Sequence, residues 1–566
     1  MEAGKQGLLT FLGQNQQSSI PIFQRKYSWT NKECKQLWED ILRVGNSNED
    51  NHFIGSVVYM KENPVVMDPI SNIMIIDGQQ RITTITLLIS AIVEFLSENP
   101  NEQIIRSNGT VFPADNLISY YLIHERELGE NRYRLLLTQD DKNTLIKIID
   151  NLSATEKIPF NDNDSKRLKE NFDYFKKKIN KNNFQNVYDG LSKLLIIYVA
   201  LEQGKDNPQL IFESLNSTGL ELTKSDLIRN YILMDLLPEE QEKLYNTYWH
   251  DIEVLFEKND GDFDKFIRDY LIVKTNKKIK FENIYTEFKI YASQTDLNDL
   301  VIDIHKYALY FESIAFGGEE NPKLQASFES LRSMDYDVTD SFMLHLYRDY
   351  DEHNLSTDDF CSIIKYTESY LLRRLICSIP TNSLKNTYEN MYGEIDNTNH
   401  FNSYKNVLLS KENNYRMPND VEFSSNFLFK DIFHLNPKNK RYIWDKFENW
   451  ERKERKDIKS DTHGEWITVE HVMPQNSDLS VEWQIALGER WEEIQDTYLH
   501  TLGNLTLTGC NSEMGDKPFE FKQKILKKSS ISLNRYFDDV EDWNGSEIKI
   551  RADLLINKAK KIWPYP

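Results

Sequence analysis

The hydrophobic pattern changes period on either side of one glycine, and that change restricts the fold more than any other feature. Ile73-Met-Ile-Ile76 is a short run with the β-branched enrichment of a buried strand. Beyond Asp77-Gly-Gln-Gln-Arg81, the residues Ile82, Ile85, Leu88, Ile89, Ile92, Val93 and Leu96 recur at helical spacing. A strand therefore runs through Gly78 directly into a largely apolar helix, and the fold has to bury both. A second strand is expected over His52–Met60. The apolar run from Ile85 to Leu96 is interrupted by Thr86, Ser90 and Glu94, and it falls short of the ~20 apolar residues of a membrane span.

The 566 residues leave room for several domains of ~100–200 residues each. Residues 1–235 mix strand and helix signals, 236–425 are dominated by helical patterns with many aromatics, and 426–566 return to mixed structure. An α+β multidomain protein with an α-helical middle is expected. The chain opens on Met-Glu-Ala-Gly-Lys-Gln, without a basic segment feeding an apolar one. Cys34, Cys361, Cys377 and Cys510 form no Cys-x-x-Cys pair. The expectation is a cytoplasmic protein with no membrane partner and no cysteine-held zinc.

The formal charge of −21 sits awkwardly with nucleic-acid binding, which rests largely on neutralised phosphates. Local basic runs offset it. Between Glu513 and Arg535 six basic residues (Lys517, Lys522, Lys524, Lys527, Lys528, Arg535) stand against three acidic ones (Glu513, Asp516, Glu520). Lys438 to Lys459 forms a second run, and Lys166 to Lys181 a third that reads as a solvated helix face.

Two constellations carry chemistry. In the first, the glycine turn Asp77–Arg81 presents backbone N–H groups and the positive end of a helix dipole, which suits phosphate. Arg81 adds a forked donor, and Asp77 can orient it or hold a metal ion. Ile22-Phe-Gln-Arg-Lys-Tyr-Ser-Trp29 lies upstream, and Phe212 to Asn230 holds a polar loop, Asn216 to Gly219. Thr223 and Asp226 form a capping box opening a helix over Asp226–Leu236. In the second, Trp466 to His471 reads as a strand ending in Glu470-His471, and Pro474 turns the chain away. Leu502 to Thr508 is a second strand, followed by Cys510-Asn511-Ser512 and a helix from Pro518 to Lys528. That order is the layout of the ββα-metal nuclease fold.

Phosphodiester hydrolysis needs a base for water, and a neutral imidazole such as His471 fits that task near neutrality. Glu470 and Asn511 are expected to supply oxygen ligands to Mg²⁺ or Mn²⁺, although neighbouring strand residues point to opposite faces. Asn504 is expected to orient the imidazole through an amide hydrogen bond, while Lys517, Lys522 and Lys524 grip flanking phosphates. His500 and His463 are further candidates. Each element also has a structural reading as a surface pair, a turn residue or a cap.

Two groups of motifs together resemble a known family. Gln24-Arg25-x-Tyr27-x-Trp29, Phe53-Ile-Gly-Ser56, Asp77-Gly-Gln-Gln-Arg81, Phe212-Glu-x-x-Asn216-x-x-Gly219 and Leu222-Thr-x-x-Asp-Leu-Ile-Arg-Asn230 resemble the GmrS-like half of the GmrSD restriction enzymes, which are modification-dependent (type IV). Arg373-Arg374-Leu-Ile-Cys377 with Pro380-Thr-Asn382 resembles the end of that family's helical region. Glu470-His-x-x-Pro474, Gly503-Asn-Leu-x-Leu507, Asn511-Ser and Lys517-Pro-Phe519 resemble its GmrD-like HNH domain.

The resemblance implies a ParB/sulfiredoxin-like amino-terminal domain that binds and hydrolyses a nucleoside triphosphate (GTP, UTP or CTP). Asp77, Gly78, Gln79, Gln80 and Arg81 would form its site, with Gln24, Arg25, Tyr27 and Asn216 beside it. It also implies a carboxy-terminal HNH endonuclease acting on double-stranded, modified phage DNA in antiviral defence. Alternatives are a non-catalytic sensor of modified DNA or nucleotide, and a toxin nuclease acting on RNA or host DNA. The oligomeric state is open, a homo-oligomer included.

Overall fold

The computed structural model describes the chain except residues 48–50, 62–69, 203–204, 207, 212–222, 235, 237, 258–261 and 459–466. The expectations for Asn216 and its loop, and for His463, lie outside the described residues. The structure is α+β and mostly helical, and it divides into two compact units. Met1–Lys258 with Ile284–Val301 form the first, and Asn259–Asn283 with Ile302–Pro566 form the second. Helices of the expected middle segment are thus distributed between both units.

The first unit is built on a six-stranded mixed sheet. Its strands are β1 (Glu2–Gly7), β2 (Gln16–Ser19), β3 (His52–Lys61), β4 (Ser71–Asp77), β5 (Leu135–Leu136) and β6 (Leu194–Glu202), in the spatial order β1-β6-β3-β4-β2-β5. β3 lies antiparallel to β4 and parallel to β6. Helix α1 (Asn31–Gly45) opens with a capping box between Thr30 and Glu33.

The period change at Gly78 becomes β4 running into α2 (Gln79–Glu98), the core helix of the unit. Among the described residues α2 is long and apolar enough to cross a membrane, yet 83% of its apolar window is buried inside the protein. The hydroxyls that interrupt its apolar run are satisfied within the helix. Thr84 donates to the Gln80 carbonyl (2.7 Å), Thr86 to Ile82 (2.9 Å) and Ser90 to Thr86 (2.8 Å), so no donor is stranded. Glu94 is buried but receives Lys157 and Lys176. Lys176 comes from α3 (Lys166–Lys178), whose Leu168, Phe172 and Phe175 pack inward while most of its lysines stay exposed.

Helix α1 meets α4 (Phe184–Ser192) backbone to backbone, and a Cβ on Gly190 would stand 2.1 Å from the Ile41 carbonyl oxygen. Only glycine allows that approach. Helix α5 (Lys224–Leu233) carries the expected capping box, Thr223 with Asp226.

The second unit is mainly helical. Its long helix α6 (Thr357–Ile376) carries Arg373 and Arg374, both buried. Arg373 donates to the carbonyls of Trp563 (2.9 Å) and Pro418 (3.0 Å), and Arg374 to those of Asn414 (2.6 Å) and Pro380 (2.8 Å). Helix α7 (Pro437–Asn449) precedes an antiparallel pair, β7 (Thr468–His471) and β8 (Leu505–Thr508). Three α-helices follow: α8 (Asn511–Met514), α9 (Phe519–Leu526) and α10 (Gly545–Ile562).

Candidate functional site

In the first unit, three glutamine amides build the platform. Gln24 donates to the Ile76 carbonyl (2.8 Å), tying the loop after β2 to the end of β4. Gln79 donates to Oε1 of Gln24 (3.1 Å) and to the Arg25 carbonyl (3.2 Å). Gln80 accepts from the backbone of Ser28 (2.9 Å) and Trp29 (3.2 Å) and donates to the Lys26 carbonyl (3.3 Å). All three are buried, so their polar atoms fix the 24–29 loop. Tyr27 likewise points inward. Its hydroxyl meets Thr84 (2.7 Å) and Asn171 (3.0 Å), and burial pushes its pKa well above the ordinary phenol value. These four residues serve as anchors, and Arg25, Asp77 and Arg81 stand half-exposed beside them.

Arg81 has a built seat. Between the pairs Phe53–Leu195 and Ser56–Ile197, two residues of β3 (Ile54 and Gly55) oppose one of β6 (Ile196), a bulge that reshapes the strand beside the turn. Gly55 there adopts φ +117°, and a Cβ on it would come within 2.8 Å of the Arg81 guanidinium carbon. The guanidinium lies over this gap and donates to the Ser56 carbonyl at 2.5 Å. Gly78, at φ +94°, caps α2 and turns the chain beneath it. Burial lowers the Arg81 pKa, and the Asp77 carboxylate opposes that shift. Arg229, a separate arginine of the family-like motif, is buried against Phe23, Asp226 and Glu253.

In the second unit, β7 and β8 pair so that His471 faces Leu505 and Glu470 faces Thr506. The two side chains have separate partners. Nε2 of His471 lies 3.0 Å from Nδ1 of His500, and its ring packs edge-on against Phe433 at 4.5 Å. Burial pushes His471 down to about 3, helped by His500, Lys522 and His434 and opposed by Asp431. The imidazole is therefore neutral at neutral pH, the state a proton acceptor needs.

Glu470 instead meets Lys522 of α9. The ammonium, fully buried, donates to Oε1 of Glu470 (2.6 Å) and to the His471 carbonyl (2.7 Å). Burial works against both charges, raising Glu470 and lowering Lys522, while each partner opposes the other's shift.

Three expectations change here. Lys522 is no phosphate contact, because it has no exposed surface and neutralises Glu470. Asn504 does not reach the imidazole: its oxygen accepts from Met473 N (2.7 Å) and Trp543 Nε1 (3.2 Å), and its amide donates to the carbonyls of Met473 (3.1 Å) and Leu499 (2.9 Å). Its two bonds to Met473 staple the turn after β7 to the loop before β8, while Leu499 and Trp543 fill its other two. The pair expected to hold a divalent cation is engaged by separate partners. Oε1 of Glu470 accepts from Lys522 (2.6 Å), and the amide nitrogen of Asn511 donates to Thr468 Oγ1 (3.1 Å) and the Val469 carbonyl (3.2 Å). Among the described residues no group of three or more His, Cys, Asp or Glu is placed to hold a metal ion. Of the other lysines, Lys517 is exposed and Lys524 pairs on the surface with Glu520 (2.6 Å).

Sequence reasoning missed Asp431 and His434. Asp431 Oδ2 lies 2.8 Å from Nδ1 of His434, and the His434 ring sits 4.5 Å from that of His500. A signal was present in Asp431-Ile-Phe-His434, an acid, an aromatic and a histidine within one turn.

Residues 8–233 match the family model described as GmrSD restriction endonuclease, N-terminal domain, and residues 417–558 match the one described as GmrSD restriction endonucleases, C-terminal domain. No curated protein matches the chain.

Proposed function

The chain belongs to the GmrSD restriction endonucleases, and from that membership we propose a nucleotide-regulated enzyme that cleaves modified phage DNA with His471 as its base. The coarser part follows from the family: the protein is a nuclease of restriction defence, with DNA as its partner. One observation carries the finer part. A buried imidazole, held neutral, ends a strand of the β7–β8 pair within the segment matched by the carboxy-terminal model.

In this reading His471 takes a proton from the attacking water. The approach of an anionic phosphate raises its basicity from the depressed resting value toward the useful range near the working pH. An HNH-type arrangement is supported by the antiparallel pair and the helices that follow it. Dependence on Mg²⁺ or Mn²⁺ is proposed from family membership alone, with no ligand assigned, and cleavage that survives chelation removes it.

The test is His471→Ala assayed on plain, glucosyl-hydroxymethylcytosine and phosphorothioate DNA and on RNA. A fall of about 10²–10⁴-fold is expected on the modified DNA that the wild type prefers. Wild-type rates in the variant overturn the assignment. Preference for RNA or plain DNA in the wild type turns the reading toward a toxin.

For the first unit, the reading is triphosphate binding and hydrolysis at the turn. Arg81 over the bulge and the start of α2 supply a cation and a helix N-terminus side by side, a combination suited to phosphate. A ParB/sulfiredoxin-like core agrees with a mixed sheet carrying this turn at a strand end.

A further inference from the structure

His471 does not stand alone. Its ring and that of His500 are joined through Nε2 and Nδ1 at 3.0 Å, a distance at which one proton is shared between two nitrogens. His471 is 3% exposed, whereas His500 is partly open to solvent. Phe433 fixes both rings, lying stacked against His500 at 5.5 Å and edge-on to His471 at 4.5 Å. The His500 carbonyl is held by the Ile432 amide at 2.9 Å. Next outward comes His434, edge-on to His500 at 4.5 Å, held by Asp431 at 2.8 Å. The row runs from a buried ring to an exposed one. Among the described residues Nδ1 of His471 makes no hydrogen bond, so that nitrogen is the one left for water. The charged or titratable neighbours are Lys522, at the His471 carbonyl, with His434 and Asp431 beside His500.

We propose that His500 is a positioning residue for His471 that also carries its proton to solvent, so that the base is a pair of imidazoles. This rests on His471 being the base. As the bond from water oxygen to phosphorus forms, the water proton moves to Nδ1 of His471. The proton on Nε2 of His471 passes to Nδ1 of His500, and the proton on Nε2 of His500 leaves to bulk water. Both rings end neutral, each in its other tautomer. The bond from phosphorus to the leaving oxygen breaks and that oxygen takes a proton from solvent water; the pair resets as a solvent proton enters at His500 and Nδ1 of His471 gives its own to the next water. A buried imidazole thereby turns over without holding a charge in an apolar setting, which burial opposes.

The experiment compares full-length His500→Gln and His500→Ala with the wild type on cleavable DNA, with thermal unfolding as a check of the fold. Gln keeps a polar group against His471 but carries no proton onward. A loss of about 100-fold in kcat is expected for both, with KM unchanged. Added imidazole should restore His500→Ala several-fold and leave His500→Gln unmoved. Wild-type kcat in either variant overturns the proposal, and so does a slow His500→Ala that imidazole does not rescue. If one variant unfolds, the other decides by the same readouts. Full cleavage by His471→Ala would instead remove the base itself, a different outcome.

Discussion

The two units build their candidate sites at the end of a strand by opposite means. At the Asp77–Arg81 turn the buried groups are neutral amides, Gln24, Gln79 and Gln80, and the charges Arg25, Asp77 and Arg81 stay half-exposed. At the β7–β8 pair the charges Glu470 and Lys522 are buried against each other, and the open end is an aromatic and histidine row. A neutral amide that fills all its hydrogen bonds costs little to bury, so the first arrangement leaves its cation available to a ligand. A buried ion pair is balanced only while both partners remain, so in the second arrangement charge belongs to stability and the imidazole is left for chemistry. A charged residue near a strand end therefore has to be judged by its depth before it is judged by its type.

That contrast predicts unequal consequences for removing one cation from each unit. Lys522→Met strands a buried carboxylate and should cost about 3–5 kcal/mol, read from the denaturant midpoint of the second unit. Adding Glu470→Gln should recover most of it. A single variant as stable as the wild type would break the comparison. Arg81→Ala should leave stability within about 1 kcal/mol. It should nonetheless lower triphosphate hydrolysis about 10- to 100-fold through loss of a charged hydrogen bond. Unchanged hydrolysis removes the turn from the nucleotide site.

Acid should also act on the second unit through two buried histidines. His471 and His345, the latter buried flat against Tyr392 at 4.0 Å, are both pushed down to about 3 in the folded protein, below the ~6.5 of an unfolded histidine. The unfolded chain then binds protons first. Stability from each histidine is complete above pH ~6.5 and is lost as pH falls toward the folded value, at up to about 1.4 kcal/mol per pH unit. Hydrogen exchange by segment should show the second unit weakening in that window, with a shallower slope in His471→Gln. A slope unchanged by that substitution would place its cause elsewhere. The smallest effect is expected at Lys524→Ala, within about 0.5 kcal/mol, because its pair with Glu520 is exposed. A large loss of stability there would contradict the role of depth.

Much of this was legible. The period change at Gly78, the capping box at Thr223 and both strands of the carboxy-terminal pair follow from local pattern, and the structure shortens the strands by only a few residues. Lys522 was readable too. Phe519, Lys522 and Leu526 share one helical face, so spacing already places the lysine inward, although its charge argues for solvent. Asn504 and the three glutamines were not readable in the same way. An amide looks alike in sequence whether it meets a ligand or a carbonyl 30 or 50 residues away, and only the fold supplies the carbonyl. His434 was missed because it approaches His500 across 66 residues of chain, a distance no local window spans.

The buried arginines of α6 carry a consequence in time. Arg373 finds its Trp563 acceptor 190 residues further along the chain, and Ser369 closes on the Pro564 carbonyl. At a synthesis rate of about 5–20 residues per second, those acceptors arrive roughly 10–40 s after the arginine leaves the peptidyl-transferase centre. Until then a guanidinium destined for the interior lacks one of its partners, and the unit that holds His471 cannot settle into its final packing. Until residues 563–564 have emerged, a ribosome translating this chain carries an unfinished nuclease, and this clasp closes only when they are free to return to a helix made long before.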